Sequence, residues 1–214
     1  MIKLCFKTIT IIAALTFSIF AQADDDMDIQ LLDAIKAKDS EQAKKIIASG
    51  LDLNFDINGS PLILAIQARD QNLVDYILHH GADPQFQGFF FYSPLHLAIH
   101  TRSNGIVKSL LKYDIELDER MVGGVGETAL LLAAKLGDIE LFDMLLTAGA
   151  DIKKSDNYQD EVLVFAAASG QLEMVKHIVS LKVDLKHSNN NGKTAIDQAK
   201  NYGQDAVVAY LESL

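Results

Sequence analysis

Two histidines four residues apart, His96 and His100 in the stretch HLAIH, fall on one face of a helix, the spacing at which two imidazoles can share a divalent metal. A structural role for the same pair stands beside that reading. His79 and His80 form a second imidazole cluster just before Gly81. Imidazoles in the last turn of a helix complement its negative end, so this pair reads as a helix terminus. GGVG at Gly123–Gly126 is glycine-rich, yet ETALLL follows it directly, with no lysine and serine or threonine pair of the kind a phosphate-cradling loop requires. Neither G-x-S-x-G nor H-E-x-x-H occurs. Acidic residues are plentiful but scattered, as on a solvated face. No catalytic residue, metal site or cofactor is assigned on these grounds, and the chain reads as a non-enzyme.

The elements that would position any site begin after an N-terminal leader. MIKLCFK carries Lys3 and Lys7, TITIIAALTFSIF is uncharged, and AQA at Ala21–Ala23 precedes the acidic Asp24–Asp26. A basic, then apolar, then small-residue order is that of a secretory signal peptide. The apolar run is short of the roughly 20 residues that span a bilayer, so cleavage after Ala23 is expected, leaving 24–214 as one domain. The chain has 19 basic and 29 acidic side chains. The leader takes two lysines and no acid, leaving 17 against 29, a net charge of −12. Cys5, the one cysteine, leaves with the leader, so neither disulfide nor thiolate site is expected. The negative charge disfavours nucleic acid and anionic lipid as partners. It suits a partner with a basic surface.

A self-comparison organises the rest. SPLILAIQARD from Ser60, SPLHLAIHTRS from Ser93, TALLLAAKLGD from Thr128, EVLVFAAASGQ from Glu161 and TAIDQAKNYGQ from Thr194 start 33, 35, 33 and 33 residues apart. A degenerate unit, IQLLDAIKAKDS, precedes them, and one alanine column runs through all six: Ala34, Ala65, Ala98, Ala133, Ala166 and Ala199. Serine or threonine at the unit start is a helix N-cap. Pro61 and Pro94 occupy the first helical position, where no N–H is missed. Stacked units of this length bury a shared core that none could build alone.

A period near 33 with this content resembles the ankyrin-repeat family, over nearly all of 24–214. SPLHLA at Ser93–Ala98 and GAD at Gly81–Asp83 and Gly149–Asp151 lie close to that family's pattern. The resemblance implies an all-α solenoid of about six helix-turn-helix units with β-hairpin fingers between them. His96 then stands at the family's usual histidine position, where it bonds neighbouring turns. Asp114 and Lys182 replace the turn glycine in two units, and Arg69 and Arg102 replace the glycine between paired helices. These turns are expected to be looser.

The register places five aromatics, Phe86, Phe89, Phe90, Phe91 and Tyr92, at a finger, where the resemblance implies polar residues. Neighbouring fingers offer Met121 and Val122, and Tyr158. Along an extended finger Phe89 and Phe91 face one way, Phe90 and Tyr92 the other. One pair can pack back; exposed apolar clusters mark binding sites. Phe89, Phe90, Phe91, Tyr92, Met121, Val122 and Tyr158 are therefore the expected partner contacts. The reading is a monomeric, periplasmic protein-binding module, with exported bacterial proteins of this type implying an immunity-type inhibitor of a toxin. A stress-defence accessory linked to catalase, a secreted effector acting on a host protein and a structural role in the envelope remain alternatives.

Overall fold

The computed structural model describes residues 26–57, 59–87, 92–122 and 125–214. The leader, with its cleavage site, and Phe89, Phe90 and Phe91 lie outside the described residues. The chain divides into two compact units at Phe89–Phe90.

Among the described residues the first unit holds two helix pairs: α1 over 26–36 with α2 (Ser40–Ile47), and α3 (Pro61–Gln67) with α4 (Gln71–His79). Helix α3 packs on α4, and α4 on α2. Ser60 caps α3 through its side chain, accepting from Ile63 N, and Asp39 and Asp70 cap α2 and α4 in the same way. Each such cap supplies a partner to an orphan N–H at a helix start.

Among the described residues the second unit holds four pairs. Helices α5 (Pro94–His100), α7 (Ala129–Leu136), α9 (Val162–Ala168) and α11 (Ala195–Asn201) form one row by packing each on the next. Their partners α6 (Asn104–Leu110), α8 (Ile139–Ala148), α10 (Leu172–Ser180) and α12 (Asp205–Glu212) cover the other side. All six column alanines are buried. A methyl group is the largest side chain that lets neighbouring helices approach so closely. Helix α7, central in its row, buries every residue from Ala129 to Ala134. Among the described residues no helix is long and apolar enough to cross a membrane.

Two expectations about turns are corrected. Arg69 and Arg102 do not loosen the turns they occupy. They take left-handed φ values of 56° and 53°, like Lys38 at 59°, close to the 71°, 71° and 69° of Gly137, Gly170 and Gly203 at the same place in other units. The closing bonds Arg69 N–Ile66 O and Arg102 N–Ile99 O are both 2.9 Å. The helices on either side fix the turn, so the side chain accepts strain where glycine would be free. Lys182 likewise adopts φ 60° in a turn-glycine position.

The fingers contain no strand among the described residues. The ladders of the expected β-hairpins do not occur among these residues. In three fingers one backbone bond joins the two sides: Met121 N to Glu127 O at 2.9 Å, Asp156 N to Asp160 O at 3.1 Å and Asn189 N to Lys193 O at 2.9 Å. In the last two, the Asp156 and Asn189 side chains accept from further finger N–H groups.

Candidate protein-binding groove

Fingers 156–160 and 189–193 are built from the inside. Asp156 is 1% exposed, and its Oδ1 accepts the N–H groups of Tyr158 and Asp160, both at 2.8 Å. Asn189 repeats the device, its Oδ1 accepting from Asn191 N at 2.9 Å and Lys193 N at 3.0 Å. Its Nδ2 donates to Asp160 Oδ1 at 2.8 Å, which ties one finger to the other. Backbone bonds continue the tie: Asn157 N to Val125 O and Asn190 N to Tyr158 O, each 2.9 Å. Gly126 takes φ 76°, and a Cβ there would come within 2.6 Å of the Asn157 side chain, so a larger residue would strain the backbone and displace that side chain.

Between these fingers and the row α7, α9, α11 lies a groove of about 420 Å³. Tyr158, 50% exposed, and Tyr202, 66% exposed, both line it, with Phe165 and Gln198 from the helices. Its charged lining is Glu127, Asp156, Asp160 and Lys135. Glu127 is buried and bonded at 2.6 Å by Lys135 Nζ, so these two charges cancel locally. Burial pushes the Asp160 carboxyl above its ordinary range, with Asn189 opposing and the Asp156 charge reinforcing. Burial likewise raises Glu161 beside the groove, against the pull of His187.

The expected partner residues are placed unequally. Tyr158 lines the groove. Val122 is 55% exposed on the preceding finger, and Met121 beside it is half-buried. Tyr92 is half-buried and packs edge-on against His100, ring centroids 5.3 Å apart. Phe165 and Tyr202 are groove residues that the sequence reading passes over. Phe165 stands one place before the alanine column, where Leu64, Leu97 and Leu132 stand elsewhere, so it reads as core; its partial exposure comes from the row's open side. Tyr202 lies in the turn of the last pair, masked by a polar sequence.

The histidines serve structure. His96 is 2% exposed. Its Nε2 faces Glu127 O at 3.2 Å and its Nδ1 faces Ser93 Oγ at 2.7 Å, so both ring nitrogens are engaged and neither is left for a metal. His80 stacks on Tyr76 at 4.0 Å and bonds its carbonyl.

Sequence relatives share this repeat over part of their lengths. The human Transient receptor potential cation channel subfamily A member 1 is 28% identical over 139 residues, 63% of this chain and 12% of the channel. Palmitoyltransferase AKR1 from Lachancea kluyveri is 35% identical over 116 residues, 52% of this chain and 16% of the transferase. The chain therefore spans a small share of either relative. A chain from the solved complex of the Bd0816 predatory endopeptidase of Bdellovibrio bacteriovorus with immunity protein Bd3460 superposes with a TM-score of 0.79 at 21% identity. That likeness covers 86% of this chain and 97% of the other, and shows the fold. The family model for ankyrin repeats (3 copies) matches residues 89–156 and 130–213, more than half of the sequence, and with the stacked, capped helix pairs it shows that this chain belongs to the ankyrin-repeat family.

Proposed function

We propose that this chain is an exported, non-enzymatic binding module of the bacterial periplasm that grips another protein along the groove of its second unit, and that its partner is a toxin whose activity it blocks. The observation that carries the binding reading is Tyr158: a large, half-exposed aromatic on a finger pinned from inside by the buried Asp156. Aromatics held in advance of contact lose little freedom on binding and anchor interfaces. The groove's acids support a non-catalytic role. Glu127 is neutralised by Lys135, Asp156 accepts two backbone N–H groups and Asp160 accepts from the Asn189 amide, so each of these carboxylates has a structural engagement. The toxin reading draws on the fold likeness to a chain from an endopeptidase–immunity complex and on the leader sequence.

The test is capture from a periplasmic fraction with the intact protein and with a Tyr158→Ala, Tyr202→Ala double variant. The expected result is a partner held by the intact protein and lost by the variant. That partner should damage cells or their polymers when alone and be silenced by equimolar intact protein. A partner with no such activity would overturn the toxin reading. A partner held equally by both forms would overturn the groove.

A further inference from the structure

The groove of the second unit carries a charge that nothing within it balances. Lys135 is committed to Glu127 at 2.6 Å. Asp156 meets backbone N–H donors, and Asp160 meets the Asn189 amide. Among the described residues neither carboxylate has a lysine or arginine in ion-pair contact; the cationic influence on Asp160 comes from His187. Two exposed tyrosine rings share this lining. A volume of about 420 Å³ falls within the roughly 300–1,000 Å³ of sites that hold a side chain or small ligand.

Resting on the reading that this groove receives the partner, we propose that it seats an arginine carried on a loop of that protein, its guanidinium against the Tyr158 and Tyr202 rings and its charge facing the Asp160 carboxylate. The chemistry selects the occupant. Tyrosine faces attract cations, and a planar guanidinium stacks on them while still donating to a carboxylate. Lysine offers a compact, strongly hydrated charge without that plane. An acidic side chain would meet uncompensated carboxylates. An aliphatic one would cover the rings and leave Asp160 buried without a counter-charge, which is costly. The arginine also brings a long apolar stem that covers Phe165 as the head reaches the acids.

The experiment uses acetyl-leucyl-arginyl-leucinamide as probe and its citrulline counterpart, equal in shape but uncharged. Amide NMR shifts of the intact protein are followed during each titration. The arginine peptide should move Tyr158, Asp160 and Tyr202 together, and citrulline should bind at least about tenfold more weakly. Asp160→Asn, which keeps an oxygen to accept from Asn189, should erase that preference in protein whose amide spectrum shows it folded. Tyr202→Ala, whose side chain is exposed, should weaken the arginine peptide without affecting the fold. Equal binding of the two peptides, shifts confined to the α8 and α10 face, or no saturable shift would overturn the proposal. Its failure is separable from that of the toxin reading. Arginine seating in a protein whose captured partner is harmless removes the toxin alone. A silenced toxin whose affinity ignores Asp160→Asn and Tyr202→Ala removes the arginine alone.

Discussion

His96 and Glu127 are joined across 31 residues of chain by a 3.2 Å hydrogen bond from the imidazole Nε2 to the glutamate carbonyl. A carbonyl only accepts, so Nε2 carries the proton, and Nδ1 then accepts from Ser93 Oγ at 2.7 Å. The neutral ring is the form that fits. One helix start is thereby fastened to the finger that leads into the next pair, and the same finger delivers Glu127 to Lys135.

That arrangement makes stability depend on pH. Burial holds the His96 pKa below its ordinary value, although the Glu127 carbonyl and charge pull the other way. The unfolded chain therefore takes up a proton that the folded chain refuses. The stabilisation is complete above the unfolded pKa of about 6.5 and is lost as pH falls below it, until the folded pKa is passed. Asp160 and Glu161, raised by burial, act oppositely: folded, they retain protons that the unfolded chain releases. Their contribution is present below about pH 4 and lost as pH rises through their folded values. Urea midpoints measured from about pH 7.5 down to 5.5 should fall, and His96→Gln should flatten that slope. A slope identical in both proteins would refute the assignment.

Leu130, 1% exposed at the centre of α7, tests the packing. Leu130→Ala should cost about 2–5 kcal/mol, the lost transfer energy plus a cavity that close-packed neighbours cannot fill. Because α7 packs on both α5 and α9, the loss should be felt as reduced amide-exchange protection in both. A change in urea unfolding below about 0.5 kcal/mol would contradict the burial.

The left-handed turns make a paired prediction. Arg69→Gly relieves a backbone strain of about 1–2 kcal/mol but adds unfolded-state freedom worth about 0.5–1 kcal/mol. The net should be a stabilisation of at most about 1.5 kcal/mol. Gly137→Ala should destabilise. It forces alanine to φ 71° and drives its methyl into the Gln171 side chain, which donates to Lys135 O at 3.3 Å. Thermal unfolding of the two variants should shift in opposite directions.

How much of this was legible in the sequence depends on what enforces each feature. The register was readable because one helical surface repeats: the alanine column and the caps at Ser60, Ser93, Thr128 and Thr194 are local signals, and each occurs in the structure. The turns at Arg69 and Arg102 were misjudged because their conformation is imposed by the packed helices on either side. The groove was half legible. Tyr158 announces itself as an aromatic on a finger, whereas Phe165 occupies a core column and becomes accessible only because α9 lies in an open row. Asp156 gave no sign that its carboxylate is the finger's internal brace.

The aromatic finger at Phe89–Tyr92 yields the last prediction. Tyr92 packs edge-on against His100 and is half-buried, so it belongs to the second unit's own packing. The sequence expectation for an extended finger groups Phe90 with Tyr92, and Phe89 with Phe91. Ring contacts of the Tyr92–His100 kind contribute about 0.5–1.5 kcal/mol beyond burial. Phe90→Ala with Tyr92→Ala should therefore lower the unfolding midpoint. Phe89→Ala with Phe91→Ala should leave the midpoint nearly unchanged and weaken partner binding by at least about tenfold, or 1.4 kcal/mol. Large anchors commonly carry about 2 kcal/mol or more each, so the loss should exceed measurement error easily. The pairs are compared by thermal unfolding and by titration with the partner captured through the groove. If both pairs lower the midpoint and neither changes affinity, this finger is an internal staple, and the partner is held by Tyr158 and its groove without it.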